Sequence, residues 1–429
     1  VAPAMAEAIR QALSGRPGPV LISLAEDLLD ELAPTEAHVD GGRPGAPRPT
    51  EDDVRAVIEL LASGRRPVIL AGGGVLRART STELLRFAEL LQVPIIAAWR
   101  RADVISNDHP LYLGMAGLGA ARTVGERLLD ADAMLVIGCR LNEPTSADDT
   151  IPTASTRWAH VDLHPGRVAG LPGPQHAIAA DARAFLRAAN ERLIGKSVLD
   201  AGLVQTRQEN NGIDRAAWEA ATVVDADADD WTGPGIHPGR AITTLRRVLP
   251  DDAILTTDAG NFAGWAGRGF RFRKPGTFLG PTSGSMGYGL PAAIAASLVH
   301  RDRPVVALVG DGGMAMSMAE LETAVREQAR VIVLVFDNER FGTIRMWQER
   351  RGTGQGVATE LGVVDFAAIG KALGARGVRV ERDAELEPAL RQALAEERST
   401  VIHLVVDRRW VSVDEVSVDE VSVDESPVG

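Results

Sequence analysis

Short apolar runs alternate with helical stretches along most of this chain, and this alternation restricts the fold more than any other feature. Between residues 50 and 190 the runs are Pro67–Ala71, Val93–Ala97, Ala133–Gly138 and Trp158–Asp162. Between residues 236 and 410 they are Ala253–Thr257, Val305–Val309, Val331–Phe336 and Thr400–Val406. Nearly continuous apolar runs are typical of strands buried on both faces of a parallel sheet, with helices as the connections. The sequence therefore predicts an α/β protein with two doubly wound parallel-sheet domains, at 50–190 and 236–410.

Three further segments lie outside these two domains. Residues 1–33 hold a helical pattern and a strand candidate, Val20–Leu24, which is too little for a domain. Residues 191–235 are polar, and we interpret them as a linker with some helix. The unit Val-Ser-Val-Asp-Glu occurs three times from Val411 to Glu425. Because this acidic repeat offers little apolar surface to bury, residues 411–429 are predicted to form a disordered, solvated tail.

Composition excludes several classes of function. The chain has 429 residues and a formal net charge of −12, without a Lys/Arg-rich run that would attract nucleic acid or an anionic membrane. No apolar stretch reaches the length of a transmembrane helix. The single cysteine, Cys139, lies in an apolar run and is interpreted as a core residue of a protein in a reducing compartment. We therefore expect a cytoplasmic protein without nucleic-acid or membrane partners.

The residues with the clearest chemistry follow two strands of the second domain. Gly310-Asp311-Gly312-Gly313 comes after Val305–Val309 and opens a helical pattern, so its backbone N–H groups can face an anion such as a phosphate. The next strand ends at Asp337-Asn338, and the backbone carbonyl of Arg340 lies two residues further on. Carboxylate, amide and carbonyl oxygens are the ligands that Mg²⁺ prefers. The sequence predicts one site for both a diphosphate and a metal, with Asp311, Asn338 and the Arg340 carbonyl as metal ligands.

This spacing resembles the motif of thiamine diphosphate enzymes, in which Gly-Asp-Gly opens the segment and Asn closes it. The chain is similar to the acetolactate synthase large subunits of that family. Two further segments match, Gly284-Ser285-Met286-Gly287-Tyr288-Gly289 and Asp258-Ala259-Gly260-Asn261-Phe262. The resemblance implies that Met286 is the apolar wedge under a bent thiamine diphosphate and that the diphosphate is contacted by the Asp258–Phe262 loop, with Asn261 as donor. The implied cofactor-binding residues are Gly260, Asn261, Gly284, Ser285, Met286, Gly310, Asp311, Gly312, Gly313 and Asn338.

The same resemblance implies a decarboxylase or carboligase that acts on a small 2-keto acid as a homodimer or homotetramer. Trp347 coincides with an aromatic residue of the family's substrate pocket. Residues 1–33, in contrast, resemble only the final part of the pyrimidine-binding domain, which carries the activating glutamate in this family. No residue here is assigned that catalytic role. We therefore expect the chain to be inactive unless that domain is supplied, by upstream residues or by a separate polypeptide.

Two alternatives remain open. In the first, the chain is a non-catalytic module that binds thiamine diphosphate or assists subunit assembly. In the second, it is a flavin- or NAD-dependent oxidoreductase that binds its cofactor at Gly72-Gly73-Gly74. Some family members bind FAD in the central domain. The glycine triplet lacks the full dinucleotide spacing, however, and a tight strand-to-helix turn requires glycine in any case. The structural interpretation of this triplet is favoured over bound FAD.

Overall fold

Two six-stranded sheets organise the chain in the computed structural model, which describes residues 1–32, 45–166, 170–196, 198–225, 233–352 and 356–414. The first sheet contains β1 (Pro67–Ala71), β2 (Ile95–Ala97), β3 (Tyr112–Met115), β4 (Ala133–Ile137), β5 (Arg157–Asp162) and β6 (His176–Ala179). The second contains β7 (Ile254–Thr257), β8 (Phe278–Leu279), β9 (Val305–Gly310), β10 (Val331–Asp337), β11 (Arg376–Val380) and β12 (Thr400–Val405). All strand pairs within both sheets are parallel. The predicted α/β fold with two doubly wound parallel-sheet domains is confirmed.

Helices connect the strands and cover the sheets. They are α1 (Ala2–Leu13), α2 (Glu51–Ala62), α3 (Gly73–Arg77), α4 (Ser81–Leu91), α5 (Arg122–Leu129), α6 (Ala182–Leu193), α7 (Ala201–Thr222), α8 (Pro238–Val248), α9 (Phe262–Gly269), α10 (Gly289–Val299), α11 (Asp311–Ser317), α12 (Glu320–Arg326), α13 (Gly342–Arg350), α14 (Phe366–Ala372) and α15 (Asp383–Ala395). A short 3₁₀ helix spans Glu26–Leu29. Within the described ranges, none of these helices combines the length and the apolar composition that a membrane crossing requires.

The order of the second sheet, β11-β12-β10-β9-β7-β8, positions the predicted site. The chain runs outward from β7 to β8 and then returns past β7 to β9, so the connections leave the β7–β9 pair in opposite directions. Ligand crevices of open α/β sheets form at such a switch point, outside the carboxyl ends of the strands. Asp258 follows β7 and Asp311 follows β9. Both predicted loops of the site therefore meet at the switch point.

The predicted strands of the two cores agree with the observed ones to within a few residues, but two kinds of strand were not predicted correctly. The short or half-exposed strands β3, β6, β8 and β11 were missed because their apolar signal is weak. Val20–Leu24 was predicted as a strand, and this is wrong: the segment belongs to no sheet, and Leu21 is 92% exposed. A strand needs a neighbour for its backbone hydrogen bonds, and within the described ranges none pairs with this segment.

The segment predicted as a linker is packed against the first domain. Its helix α7 buries Arg207, whose guanidinium donates hydrogen bonds to the carbonyls of Leu91, Leu61 and Gly64 at 2.6–2.7 Å. Trp218 of the same helix is buried, and the guanidinium of Arg271 lies 3.9 Å from its ring centroid. Because Arg271 follows α9 of the second domain, α7 connects the two domains through side chains as well as through the backbone.

Asp103 supplies a second connection between the domains. Its carboxylate is fully buried and accepts hydrogen bonds from the backbone N–H groups of Thr277 (2.8 Å) and Phe278 (3.1 Å), at the beginning of β8. Both bonds go to Oδ2, and Oδ1 has no hydrogen-bond partner among the described residues. Burial raises the pKa of Asp103 from 3.8 to about 6, because the charged form has lost its hydration.

This raised pKa predicts a pH dependence of stability. The folded state holds the Asp103 proton more tightly than the unfolded state, so the contribution is present below about pH 4 and is lost as the pH rises through about 6. Asp103→Asn keeps an oxygen that can accept both hydrogen bonds but carries no charge. We expect the stability of this variant relative to the parent to increase by up to about 3 kcal/mol between pH 4 and pH 7. Thermal unfolding of both proteins at the two pH values measures this, and an equal difference at both would contradict it.

Candidate metal and diphosphate site

A cavity opens where β7, β9 and β10 end, at the switch point of the second sheet. It brings together almost all the residues that the sequence assigned to one site. Those that line it are Gly260, Asn261, Gly284, Met286, Gly310, Asp311, Gly312, Gly313, Asn338 and Arg340. Ser285 and Trp347 do not line it: Ser285 is exposed and shares a hydrogen bond of 2.8 Å with Ser283, and Trp347 is 40% exposed on α13.

The glycines after β9 are required by close packing. A Cβ atom at Gly312 would overlap the ring of Phe341 and lie 3.1 Å from Cε of Met286, and one at Gly310 would lie 3.1 Å from the ring of Phe262. A Cβ atom at Gly313 would overlap the carboxylate of Asp258. The turn therefore exposes bare backbone to the cavity on one side and contacts neighbouring loops on the other.

Asp258 is a residue of the site whose role the sequence did not reveal. It is fully buried, and its carboxylate accepts hydrogen bonds from the N–H groups of Gly287 (2.8 Å), Tyr288 (3.0 Å) and Ala259 (3.0 Å). The bonds from Gly287 and Tyr288 fix the Gly284–Tyr288 loop, and Met286 with it, to the end of β7. The signal was present in the sequence, since Asp258 follows its strand as Asp311 follows β9.

Asp311 is buried at the end of β9. Its Oδ1 accepts a hydrogen bond from the N–H of Gly312 (2.7 Å), and its Oδ2 accepts one from the N–H of Arg340 (3.2 Å). Burial, the largest cause, and the neighbouring carboxylate of Asp337 together raise the pKa of Asp311 above its ordinary value. A divalent cation beside Asp311 would reverse this effect because it stabilises the charged form. The electrostatics of the site therefore fit a bound metal ion.

The other predicted metal ligands are oriented by hydrogen bonds. The amide nitrogen of Asn338 donates to the carbonyl of Trp410 (3.0 Å), which leaves its amide oxygen for a ligand. The carbonyl of Arg340, which like every carbonyl oxygen has two lone pairs, accepts a hydrogen bond from the N–H of Gly342 (2.9 Å). Across the described residues, no group of three or more His, Cys, Asp and Glu side chains is arranged to hold a metal ion. A mixed set of carboxylate, amide and carbonyl oxygens is the one that this site offers, and it suits Mg²⁺.

The segment Trp410–Ser412 forms one wall of the cavity. Val411 and Val413 are buried, and Asp414 forms an ion pair of 2.6 Å with Arg268. The prediction of a solvated tail from Val411 therefore does not hold for Val411–Asp414, because their valines pack against α9 and the cavity. Residues 415–429 of the predicted tail lie outside the described residues.

This wall also accepts a hydrogen bond from Asn261, a donor that the sequence analysis assigned to the cofactor. The side-chain amide of Asn261 donates a hydrogen bond of 2.6 Å to the carbonyl of Val411, although Asn261 lines the cavity. Next to it, Phe262 stacks on Phe336 with ring centroids 5.6 Å apart and closes the cavity with an apolar surface. The same nitrogen also donates to Sδ of Met346 (3.3 Å), so both side-chain N–H groups of Asn261 are engaged within the protein.

The glycine triplet in the first domain has a different role. A Cβ atom at Gly72 would overlap the carbonyl of Gly138, and one at Gly74 would lie 2.6 Å from Cα of Gly138. The turn after β1 therefore packs directly on the turn after β4, at the switch point of the first sheet. Cys139 is buried there, and burial raises the pKa of its thiol to about 11. This contact accounts for the glycines without a nucleotide.

The contact between Gly313 and Asp258 can be tested by substitution. Gly313→Ala is expected to destabilise the protein by about 1–3 kcal/mol, because the new methyl group must displace a buried carboxylate that accepts three hydrogen bonds. Gly125→Ala is the matched control, since Gly125 lies within α5 and a Cβ atom there meets no other atom within 4 Å. The control should stabilise the protein by up to about 1 kcal/mol. Urea unfolding of both variants measures this, and equal effects would refute the packing argument.

Comparison with known proteins agrees with this geometry. Residues 54–189 match the family description "Thiamine pyrophosphate enzyme, central domain", and residues 258–404 match "Thiamine pyrophosphate enzyme, C-terminal TPP binding domain". The first match contains all strands of the first sheet, and the second begins directly after β7 and contains the whole set of predicted site residues.

Three individual proteins illustrate the similarity. The probable acetolactate synthase large subunit of Methanococcus aeolicus is 30% identical over 421 residues, which cover 92% of this chain and 68% of that protein. The sulfoacetaldehyde acetyltransferase of Castellaniella defragrans is 30% identical over 403 residues, covering 87% and 65%. The structure of a thiamine diphosphate-dependent 4-hydroxybenzoylformate decarboxylase from Rhodococcus jostii RHA1 superposes with a TM-score of 0.77 at 23% identity, covering 94% and 73%. At that identity the structural likeness shows the fold alone.

Proposed function

Because this chain belongs to the thiamine pyrophosphate-dependent enzymes and is acetolactate synthase-like within them, we propose that it binds thiamine diphosphate with Mg²⁺ at the ends of β7, β9 and β10. The observation that carries the proposal is the convergence of Asp311, Asn338 and the Arg340 carbonyl on one cavity beside a bare glycine turn. Asp311, Asn338 and the Arg340 carbonyl would hold the metal. The Gly310–Gly313 turn would receive the diphosphate that shares this metal.

We propose that Met286 is the apolar residue that supports the ring system of the cofactor. Its Cε lies 3.1 Å from the position of a Cβ atom at Gly312, so its side chain lies next to the Gly310–Gly313 turn. Two hydrogen bonds, from the N–H groups of Gly287 and Tyr288 to Asp258, hold the loop that carries it. A rigid apolar support can fix the conformation of a bound ring system before the reaction begins.

The proposed reaction is decarboxylation of a 2-keto acid, followed by protonation or by transfer to a second carbonyl compound. Thiamine diphosphate supplies the electron sink for this chemistry when it is bound. The names of the relatives, acetolactate synthase and sulfoacetaldehyde acetyltransferase, support a 2-keto acid or a similar small carbonyl substrate. The first turn of α13, Gly342–Ile344, lines the cavity, and Trp347 lies one turn further along the same helix. We propose that this helix borders the substrate.

A complete active site is proposed to need a pyrimidine-binding domain in addition. No glutamate within the described ranges lines the cavity, so the group that exchanges a proton with the pyrimidine ring is assigned to that domain, in the same polypeptide or in another. Ile344, Trp347 and Met316 expose 40–62% of their surface near the site. We propose that these apolar residues are covered in a homodimer or homotetramer.

Calorimetric titration with thiamine diphosphate and Mg²⁺ tests the cofactor assignment. We expect the parent chain to bind and Asp311→Ala to lose at least about 100-fold in affinity, since substitution of residues that only orient metal ligands already costs about 10–100-fold. Asp302→Ala, an exposed aspartate in the turn before β9, is the matched control and should bind like the parent. Trp265 and Trp410 line the cavity, so their fluorescence provides a second measure of occupancy.

The outcomes separate the candidate functions. Binding that depends on Asp311, with CO₂ release from pyruvate once a pyrimidine-binding domain is supplied, supports the enzyme. Binding without turnover even then would favour a non-catalytic cofactor-binding module. Absence of binding both alone and with that domain would overturn the proposal.

A further inference from the structure

A buried histidine lies behind the candidate site and is not one of the proposed metal or cofactor ligands. His403 lies on β12, next to β10, and is completely buried. Its Nε2 lies 2.7 Å from Oδ2 of Asp337, the last residue of β10. Because burial is complete, this bond is shielded from water and fixes both side chains.

Asp337 is held at both of its carboxylate oxygens. Oδ2 is bonded to His403, and Oδ1 accepts a hydrogen bond of 3.0 Å from the N–H of Glu339. Asp337 is therefore a carboxylate whose oxygens are directed at protein donors rather than at the cavity, and it does not line the cavity.

Asp337 nevertheless lies beside the metal-binding residues. The register of β10 against β9 pairs Phe336 with Gly310, so Asp337 and Asp311 leave the two strands as neighbours. Asn338 follows Asp337 directly. Two buried carboxylates repel each other, and without His403 the Oδ2 atom of Asp337 would lose its hydrogen-bond donor. The hydrogen bond with His403 therefore fixes the position of a second carboxyl group next to Asp311.

We propose that His403 is a positioning residue of the cation site: its hydrogen bond holds Asp337 beside Asp311, where the second carboxylate attracts the cation without ligating it. This inference rests on the proposed function, because it assumes that Asp311 and Asn338 bind the metal. Partners that orient metal ligands typically contribute about 10–100-fold to metal affinity. Phe366 packs edge-on against the His403 ring at 5.4 Å, which keeps the imidazole in this orientation.

A purely structural role makes a different prediction. In that case the pair only joins β10 to β12, and its loss changes stability but not the cation affinity of protein that remains folded. The two roles are distinguished by a double-mutant cycle, because residues that act through one another have non-additive effects.

The experiment is a Mn²⁺ titration, followed by electron paramagnetic resonance in the presence of thiamine diphosphate. We expect His403→Leu to weaken Mn²⁺ binding about 10–100-fold. In an Asp337→Asn background the same substitution should change the affinity little, because the carboxylate that it positions is gone. His160→Leu is the matched control: His160 is also buried, but it lies in the first sheet and binds the carbonyl of Cys139.

Two polar variants keep the test valid if His403→Leu does not fold. The amide of His403→Gln is long enough to replace Nε2 as donor to Asp337, whereas the shorter amide of His403→Asn is not. We expect His403→Gln to retain most of the Mn²⁺ affinity and His403→Asn to lose it.

The possible outcomes distinguish failure of the role proposed for His403 from failure of the proposed cofactor site. Equal Mn²⁺ affinities of the folded His403→Leu, His403→Asn and parent proteins, or additive effects in the double-mutant cycle, would overturn the role of His403 while leaving the cofactor site intact. If the parent and Asp311→Ala bind Mn²⁺ with equal affinity, the proposed site itself is overturned, and this inference with it.

Discussion

The parallel register between β9 and β10 is the constraint on which the site depends. It pairs Phe336 with Gly310, so that the residues following each strand, Asp311 on one side and Asp337-Asn338 on the other, reach the same edge of the sheet together. A shift of one residue would turn every side chain of β10 to the opposite face and would change the position of Asp337 and Asn338 relative to Asp311. Because β9 and β10 are buried along their whole length, the hydrophobic core fixes this register and with it the spacing of the candidate ligands.

Much of this arrangement is predictable from the sequence because it depends on local order. A buried strand, a glycine turn with an aspartate, a helical stretch and a second strand ending in Asn338 are all visible in one continuous segment. Carboxyl ends of neighbouring parallel strands meet at one edge, so Asp311 and Asn338 could be assigned to one site. The Gly72–Gly74 turn shows the limit of that reasoning. It gives the same glycine signal, yet its glycines serve the packing of two turns on each other.

The features that could not be predicted are contacts between distant parts of the chain. His403 and Asp337 are 66 residues apart, and Val411 and Asn261 are 150 apart. Nothing local in Val411–Asp414 distinguishes it from the identical repeats that follow, but its valines find a buried surface on α9. Val20–Leu24 is the converse case, since its strand-like composition has no neighbouring strand to pair with in the described structure. The sequence pattern of a segment predicts which structures it can form, and its contacts with distant segments determine which of them it adopts.

A crystal structure of the chain with thiamine diphosphate and Mn²⁺ would test the central claim most directly, because anomalous scattering locates the metal independently of any assumption about the cofactor. The account predicts one strong anomalous peak within about 2.5 Å of an Asp311 carboxylate oxygen, the Asn338 amide oxygen and the Arg340 carbonyl, with the diphosphate against Gly310–Gly313. A peak at any other place in the chain, or a cofactor bound at the Gly72 turn, would contradict it.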